Sequence, residues 1–226
     1  MPFQIAIDGP AGAGKSTVAR RVSSELGYTY LDTGAMYRSL AWKSIQSGID
    51  LEDARELEAA ARRLVIQFSP LQHDGTQQVW VDCENVTEAI RTPEVSNLTS
   101  RISAIASVRS VVVDQQRRIA ESAASGVVLE GRDIGTVVFP SAHLKIFMTA
   151  SPAERARRRV EELRSRGMHV DADHTLADLL ERDERDSGRA TSPLTMAHDA
   201  VPVNTDGLAA DEVVRRILVL WRERQA

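Results

Sequence analysis

The chain has 226 residues, of which 42% are hydrophobic, 27% charged and only 4% aromatic, and its formal net charge is −4; it is long enough to bury a sizeable, mainly aliphatic core, and its acidic balance gives no overall electrostatic basis for binding nucleic acid or an anionic membrane. The single cysteine, Cys83, excludes an intrachain disulfide, suits a reducing compartment and is expected as a small buried or half-buried residue. No stretch is long and apolar enough to span a bilayer and the N-terminus lacks a signal-peptide pattern, so a cytoplasmic protein is expected.

The first element is a short buried strand, Phe3-Gln4-Ile5-Ala6-Ile7-Asp8. It leads into Gly9-Pro10-Ala11-Gly12-Ala13-Gly14-Lys15-Ser16-Thr17, which matches G-x-x-x-x-G-K-[ST] at every fixed position. A helix is predicted over residues 17–26, with Val18, Val22 and Leu26 on one side. Strand, glycine-rich loop and helix start are the context of a phosphate loop. The glycines let backbone N–H groups converge without Cβ clashes, and the helix start adds unpaired N–H groups and a favourable dipole. In that reading Lys15 reaches the β- and γ-phosphates of a nucleotide, and the Ser16 hydroxyl sits on Mg²⁺.

Residues 28–31 form a second short strand ending in Asp32-Thr33-Gly34-Ala35-Met36-Tyr37-Arg38. Asp32 or Thr33 can cap a helix that buries Met36, Leu40 and Ile45 and ends at Gly48. Residues 51–64 read as a charged helix with Leu57, Ala60, Ala61 and Leu64 as its apolar stripe. Strand-like residues 64–69, a turn at His73-Asp74-Gly75-Thr76, an alternating strand over 78–82 and a turn at Glu84-Asn85 make residues 64–88 an antiparallel insertion. Thr92 caps and Pro93 opens a helix that runs through Ile105, breaks near Ala106-Ser107 and resumes from Val108 to Ala124.

Gly126-Val127-Val128-Leu129-Glu130 has the unbroken apolar run of a strand buried on both faces, and Gly131-Arg132-Asp133-Ile134-Gly135-Thr136 follows it. A strand over 144–149, an arginine-rich helix from Ser151-Pro152, a helix over 175–187 and a strand over 200–204 come next. A terminal helix over 210–224 turns Val213, Val214, Ile217, Leu218 and Trp221 inward. This alternation predicts an α/β fold, a parallel sheet with helices on both faces and ligands at the C-terminal ends of its strands.

Polar groups gather at those ends. Asp8, Asp32, Asp133 and Asn204 each follow an apolar strand, and Arg38 and Arg132 stand beside two of them. Arginines facing a phosphate loop supply the positive charge that phosphoryl transfer needs. Plainer alternatives stay open at this level. Asp32 and Asp133 can serve as caps, and Arg155, Arg157, Arg158, Arg159, Arg164 and Arg166 can form a solvated face paired with Glu154, Glu161 and Glu162. The histidines His73, His143, His169, His174 and His198 have no metal-ligand spacing and read as surface or capping residues. Trp42, Trp80 and Trp221 suit a core better than a base-stacking platform. No N-K-x-D or D-x-x-G segment follows the loop, and no acidic pair ends a core strand, Glu130 being the nearest candidate. A phosphate loop near the start of a short chain, with arginines in late helices, favours a small-molecule kinase.

Five segments then carry a resemblance: residues 7–17, 31–38, 90–95, 130–140, and 181–186 with Arg189. Of these, the run Gly131-Arg132-Asp133-Ile134-Gly135-Thr136-Val137-Val138-Phe139-Pro140 is far more specific than the phosphate loop. Along nearly its whole length the sequence resembles the bacterial cytidylate (CMP/dCMP) kinases, within the nucleoside-monophosphate kinases. The resemblance implies one kinase domain over residues 1–226, with a monophosphate-binding insertion at about 33–105 and a helical lid at about 152–188. It implies ATP on Gly9 to Thr17 with Mg²⁺ at Ser16, and CMP or dCMP as acceptor. On the acceptor side it implies Asp32, with Arg38 and Arg132 on the phosphate; Thr33, Ser100, Arg109, Asp133 and Arg189 around the cytosine; and Arg182 and Asp186 near the ribose. Lys15, Arg132 and the lid arginines Arg155, Arg158 and Arg159 are implied to stabilise the transferring group. Thr33 stands where the family has serine and keeps the hydroxyl, and Ser16 stands where some members have glycine. A monomer with nucleotide partners only is expected. The rival readings are the same fold acting on UMP, AMP or a shikimate-like acceptor, and a non-catalytic ATP-dependent binding protein.

Overall fold

The computed structural model describes residues 2–225 apart from 73. In chain order the elements are β1 (Phe3–Asp8), α1 (Lys15–Leu26), β2 (Thr29–Asp32), α2 (Thr33–Gln46), α3 (Ala54–Arg63), β3 (Ile66–Phe68), β4 (Val79–Val81) and β5 (Glu84–Asn85). They continue as α4 (Pro93–Ile102), α5 (Ala106–Glu121), β6 (Gly126–Gly131), β7 (Leu144–Thr149), α6 (Pro152–Ser165), α7 (Ala172–Gly188), β8 (Val201–Asn204) and α8 (Ala210–Gln225).

Alternate residues of the central strands feed two separate cores, as the period of two in a strand requires. The central sheet has the order β2-β6-β1-β7-β8 with every pairing parallel. Ile5, Ile7, Tyr30 and Val128 point to one face, where they pack on Val18 and Val22 of α1 and on Val213, Ile217 and Trp221 of α8. Ala6, Leu31, Val127 and Leu129 point to the other face, which α2, α3, α4 and α5 cover. The predicted sheet with helices on both faces is thus present. Because the strands are parallel, the ends of β1, β2 and β6 come out side by side, and those ends hold the phosphate loop, Asp32 and the turn after Gly131.

The second, three-stranded sheet β3-β4-β5 is antiparallel. Its tight turn is Asp82-Cys83, and Glu84–Asn85 is a strand, not the turn expected there. Both turn residues have positive φ, 47° and 69°, the backbone that a two-residue hairpin loop needs to match the twist of its strands. Asp82 tolerates it by using its carboxylate, which accepts from Val65 N at 3.3 Å and pairs with Lys43 at 2.8 Å. Cys83 is exposed, not buried; the turn turns its side chain to solvent. Cys83→Gly should therefore stabilise the protein by about 0.5–1 kcal/mol, read as a small rise in melting temperature, because a left-handed conformation is costly for a residue with a Cβ.

Other boundaries shift for local reasons. α1 begins at Lys15, two residues before the expected start, because Gly14 (φ 87°) closes the loop directly before it. α3 begins at Ala54 because Asp53 caps it, accepting from Arg55 N and Glu56 N. The break in the following helical stretch falls at residues 103–105, just before α5. Trp42 and Trp221 are buried and Trp80 is half-buried. His143, His169, His174 and His198 are exposed, and His73 lies outside the described residues.

Candidate active site

Residues 9–14 leave β1 and turn under the start of α1. Gly9 has φ 146°, and a Cβ there would fall 2.0 Å from Met148 O of the neighbouring strand β7, so only glycine fits. Gly14 precedes α1 with no side-chain cap. The first-turn N–H groups of α1 are therefore left to an anion, which the helix dipole favours. Lys15 is 5% exposed and its Nζ donates to Pro10 O at 2.6 Å. Burial, reinforced by Arg132, pushes its pKa down to about 7.

Asp32 ends β2 and caps α2. Its Oδ1 accepts from Ala35 N at 2.9 Å and its Oδ2 from Arg38 Nη2 at 2.7 Å. Burial works to raise its pKa, but Arg38 and Arg91 outweigh it and hold the carboxylate below its ordinary value. Thr33 Oγ1 donates to Glu130 O at 2.6 Å, which leaves its lone pairs free to accept. Glu130 itself accepts from Tyr30 OH at 2.9 Å.

The turn after β6 is held from below. Asp8, at the end of β1, accepts from Ile134 N and Gly135 N at 2.8 and 2.7 Å. Burial raises its pKa to about 6 against those two donors. Asn204, at the end of β8, accepts from Asp206 N. These two strand-end groups thus secure backbone, whereas Asp32 and Asp133 face the crevice. A π-helical turn, Ile134–Val138, follows Asp133. It leaves Arg132 and Asp133 projecting: Arg132 Nε donates to Asp186 Oδ2 of α7 at 2.9 Å, and Asp133 forms a buried ion pair with Arg109 of α5. Arg109 also donates to Ser103 O at 3.0 Å and lies 5.5 Å from the centre of the Tyr37 ring.

One crevice gathers most of the residues singled out in the sequence. Ala11, Gly12, Lys15 and Ser16 form one wall. Opposite stand Asp32, Thr33, Arg38, Arg109, Arg132 and Asp133. Arg159, Arg182, Asp186 and Arg189, from the segment after β7, close it. Eight cationic and five acidic side chains line it. Four guanidinium nitrogens among them, Arg38 Nε, Arg109 Nε, Arg182 Nε and Arg189 Nη2, are buried without a hydrogen-bond partner. Buried donors normally find acceptors, so the crevice is built for a ligand rich in acceptor oxygens. Burial, with Arg132 next, lowers the pKa of Arg182 to about 10. Asp186 is held below the carboxylate range by Arg132, Arg182 and Arg189 in spite of its burial.

A second hollow lies along the outer side of the loop, lined by Gly14, Thr17, Arg20, Arg158 and Arg166. Gly12, Lys15, Ser16, Arg91, Arg159 and Glu162 line both hollows and so form their junction, where Glu162 pairs with Arg159 at 2.8 Å. Not all of the expected residues line the crevice: Gly14, Thr17 and Arg158 line only the second hollow, and Gly9, Pro10, Ala13, Ser100 and Arg155 line neither. Arg155 is buried behind the loop and Ser100 is buried within α4, both away from the crevice wall. Arg158 reaches past the loop to Thr205, donating to its Oγ1 at 2.9 Å and its carbonyl at 2.7 Å. Sequence reasoning missed Tyr37, Arg91, Ser103 and Glu162 on the crevice wall, and assigned no role to Glu130. Tyr37 and Arg91 lay inside segments already singled out, 31–38 and 90–95; Ser103 and Glu162 carried no signal.

The donor set also suits Mg²⁺, a hard cation that keeps most of its shell as water and phosphate oxygen. Ser16 Oγ stands in the first turn of α1 at the junction, and the Glu130 carboxylate lines the same crevice. Among the described residues no group of three or more His, Cys, Asp or Glu side chains could hold a metal by itself.

A family model described as cytidylate kinase matches residues 5–223. The cytidylate kinase of Syntrophotalea carbinolica is 48% identical over 221 residues, covering 98% of this chain and 92% of that protein. The bifunctional pantoate ligase/cytidylate kinase of Gloeobacter violaceus is 48% identical over 222 residues, which are 97% of this chain but 43% of that protein. Among solved structures, a gluconokinase from Sinorhizobium meliloti matches 99% of this chain and 94% of its own with a TM-score of 0.51 at 17% identity, a likeness of fold.

Proposed function

The chain belongs to the cytidylate kinase family, and on that premise we propose how its own residues carry the transfer of the ATP γ-phosphate to CMP or dCMP. The observation that carries the assignment is the junction of the two hollows. One hollow accepts a donor along the loop, the other an acceptor among arginines, and Lys15 and Arg159 stand where they meet.

ATP lies with its phosphates on residues 9–17, its γ-phosphate at the junction. CMP lies in the crevice with its phosphate between Arg38 and Arg132, whose planar guanidinium groups match phosphate oxygens. Asp32 holds Arg38 in that pose. Thr33, Arg109, Asp133 and Arg189 surround the cytosine, Ser100 supports them from within α4, and Arg182 and Asp186 face the ribose. The acceptor phosphate is already largely ionised near neutral pH, its second pKa being ~6, so attack on the γ-phosphorus needs no strong base. Lys15, Arg132 and Arg159 hold the charge that develops on the transferring oxygens, while Arg158, bound to Thr205, flanks the donor hollow. Mg²⁺ would be held at Ser16 with the donor phosphates, with the Glu130 carboxylate in the same crevice, and would supply further charge neutralisation. An arriving polyanion also favours the protonated form of Lys15, which burial alone disfavours.

Residues 33–105 form the monophosphate-binding part, and residues 152–188 a lid that closes over both substrates and limits transfer to water. The protein acts as a cytoplasmic monomer, and its single free thiol suits a reducing compartment. Release of ADP measured against CMP, dCMP, UMP, AMP, shikimate and no acceptor tests the reading. CMP and dCMP should lead the panel. Preference for AMP or shikimate would overturn the acceptor assignment, and ADP release indifferent to acceptor would overturn the kinase reading.

A further inference from the structure

The phosphate loop is joined to the helices after β7 by a contact whose bridging side chains, Arg155 and Asp183, line neither hollow. Ala11 packs with Ala156 of α6 and Leu179 of α7 in a small apolar cluster apart from both main cores. A Cβ on Gly12 would lie 2.9 Å from the Cβ and from the carbonyl oxygen of Arg155, so the loop backbone rests directly on the first turn of α6. The Arg155 side chain, 4% exposed, spans the junction. Its Nη1 donates to Ala11 O at 3.1 Å and lies 2.6 Å from Asp183 Oδ2 of α7, while Nε donates to Ala150 O at 3.1 Å.

Asp183 adjoins Arg182 in the chain and stands almost one helical turn before Asp186, so what fixes Asp183 also fixes the two α7 residues that face the crevice. A guanidinium is suited to this bridge, because its rigid planar fork holds several acceptors at once. Burial makes the bridge stiff, since freeing either partner strands a buried charge or carbonyl.

We propose that Arg155 and Asp183 are positioning residues that lock the acceptor-binding side of α7 to the phosphate loop, so that ATP and CMP each strengthen the other's binding. The proposal rests on the two-substrate reading above. Linkage makes such coupling reciprocal, and a coupling of this kind is typically 5–150-fold.

The test uses the full chain with Arg155→Met, Asp183→Asn and the double variant. The dissociation constant of CMP is measured with and without a non-hydrolysable ATP analogue, beside KM and kcat for both substrates. Asp183→Asn should cut the analogue's strengthening of CMP binding about fivefold or more and raise KM for CMP with little change in KM for ATP. Arg155→Met should cut the coupling equally, and the double variant should lose no more than either single change. Arg155→Lys should recover part of it, since an ammonium can still reach one of the two acceptors that Nη1 bridges, Ala11 O and Asp183 Oδ2. Coupling unchanged in Asp183→Asn, or losses that multiply in the double variant, would overturn the proposal. Asp183→Asn is a near-isosteric change at a partly exposed site, so it decides the matter alone should Arg155→Met fail to fold. A parent protein that phosphorylates no monophosphate would instead overturn the reading beneath, and that is seen before any variant is compared.

Discussion

Lys15→Met should turn over about 100–1,000-fold more slowly than the parent chain while folding at least as well. The loss follows from position. Lys15 is the one ammonium at the junction of the two hollows, and a preorganised charge in a water-poor site acts most strongly on the charge that develops during transfer. The effect should fall on kcat more than on KM for ATP, because the N–H groups at the start of α1 still hold the donor phosphates. The stability half follows from the lowered pKa. Burial, then Arg132, brings Lys15 down to about 7 in the ligand-free fold, against about 10.4 for an unfolded chain. Between those values the unfolded chain binds more protons, so stability rises with pH across that window, and below about pH 7 the penalty is present in full. Methionine removes it. Thermal melts at pH 6 should place the variant at or above the parent, beside steady-state assays at saturating ATP and CMP. Near-normal turnover would refute the assigned role, and a collapsed melt would refute the account of burial.

The parts of this fold that were legible in the sequence are those in which one physical signal dominates. The runs at residues 3–8, 126–130 and 144–149 carry the apolar signal of strands and are strands, and the glycines before Lys15 at a helix start favour a phosphate loop over a plain glycine-rich turn. The turn at Asp82-Cys83 was hidden because neither residue is glycine; its left-handed backbone is tolerated through the Val65 and Lys43 contacts of Asp82, which are tertiary. The exposure of Cys83 follows from the same turn. In the candidate site, strand-end acids were visible as a class, but what each does was not. Asp8 and Asp133 look alike in the chain, yet one secures two backbone N–H groups and the other pairs with an arginine 24 positions away. Arg155 and Arg159 are separated by about one turn on one helix, and only packing against Ala11 turns the first away from the crevice and leaves the second on it.

That difference between alike carboxylates gives the second large effect, at Asp133. Asp133→Ala should raise KM for CMP by about 10–100-fold, the scale of a lost hydrogen bond to a charged group, and leave KM for ATP nearly unchanged. It should also lower stability by about 3–5 kcal/mol, because the Arg109 guanidinium is 3% exposed and would lose its counter-charge. At this chain length that is a fall of roughly 6–20 °C in melting temperature. The two effects have one side chain in common but different causes, and a second substitution separates them. Adding Arg109→Met removes the stranded cation, and replacing both members of a buried pair by apolar groups is often close to neutral. The double variant should therefore recover most of the lost melting temperature. Its KM for CMP should stay high, because the groups that face the cytosine edge are gone. Recovery of both properties together would mean that the pair only braces α5 against the turn after β6, with the base recognised elsewhere on the crevice wall.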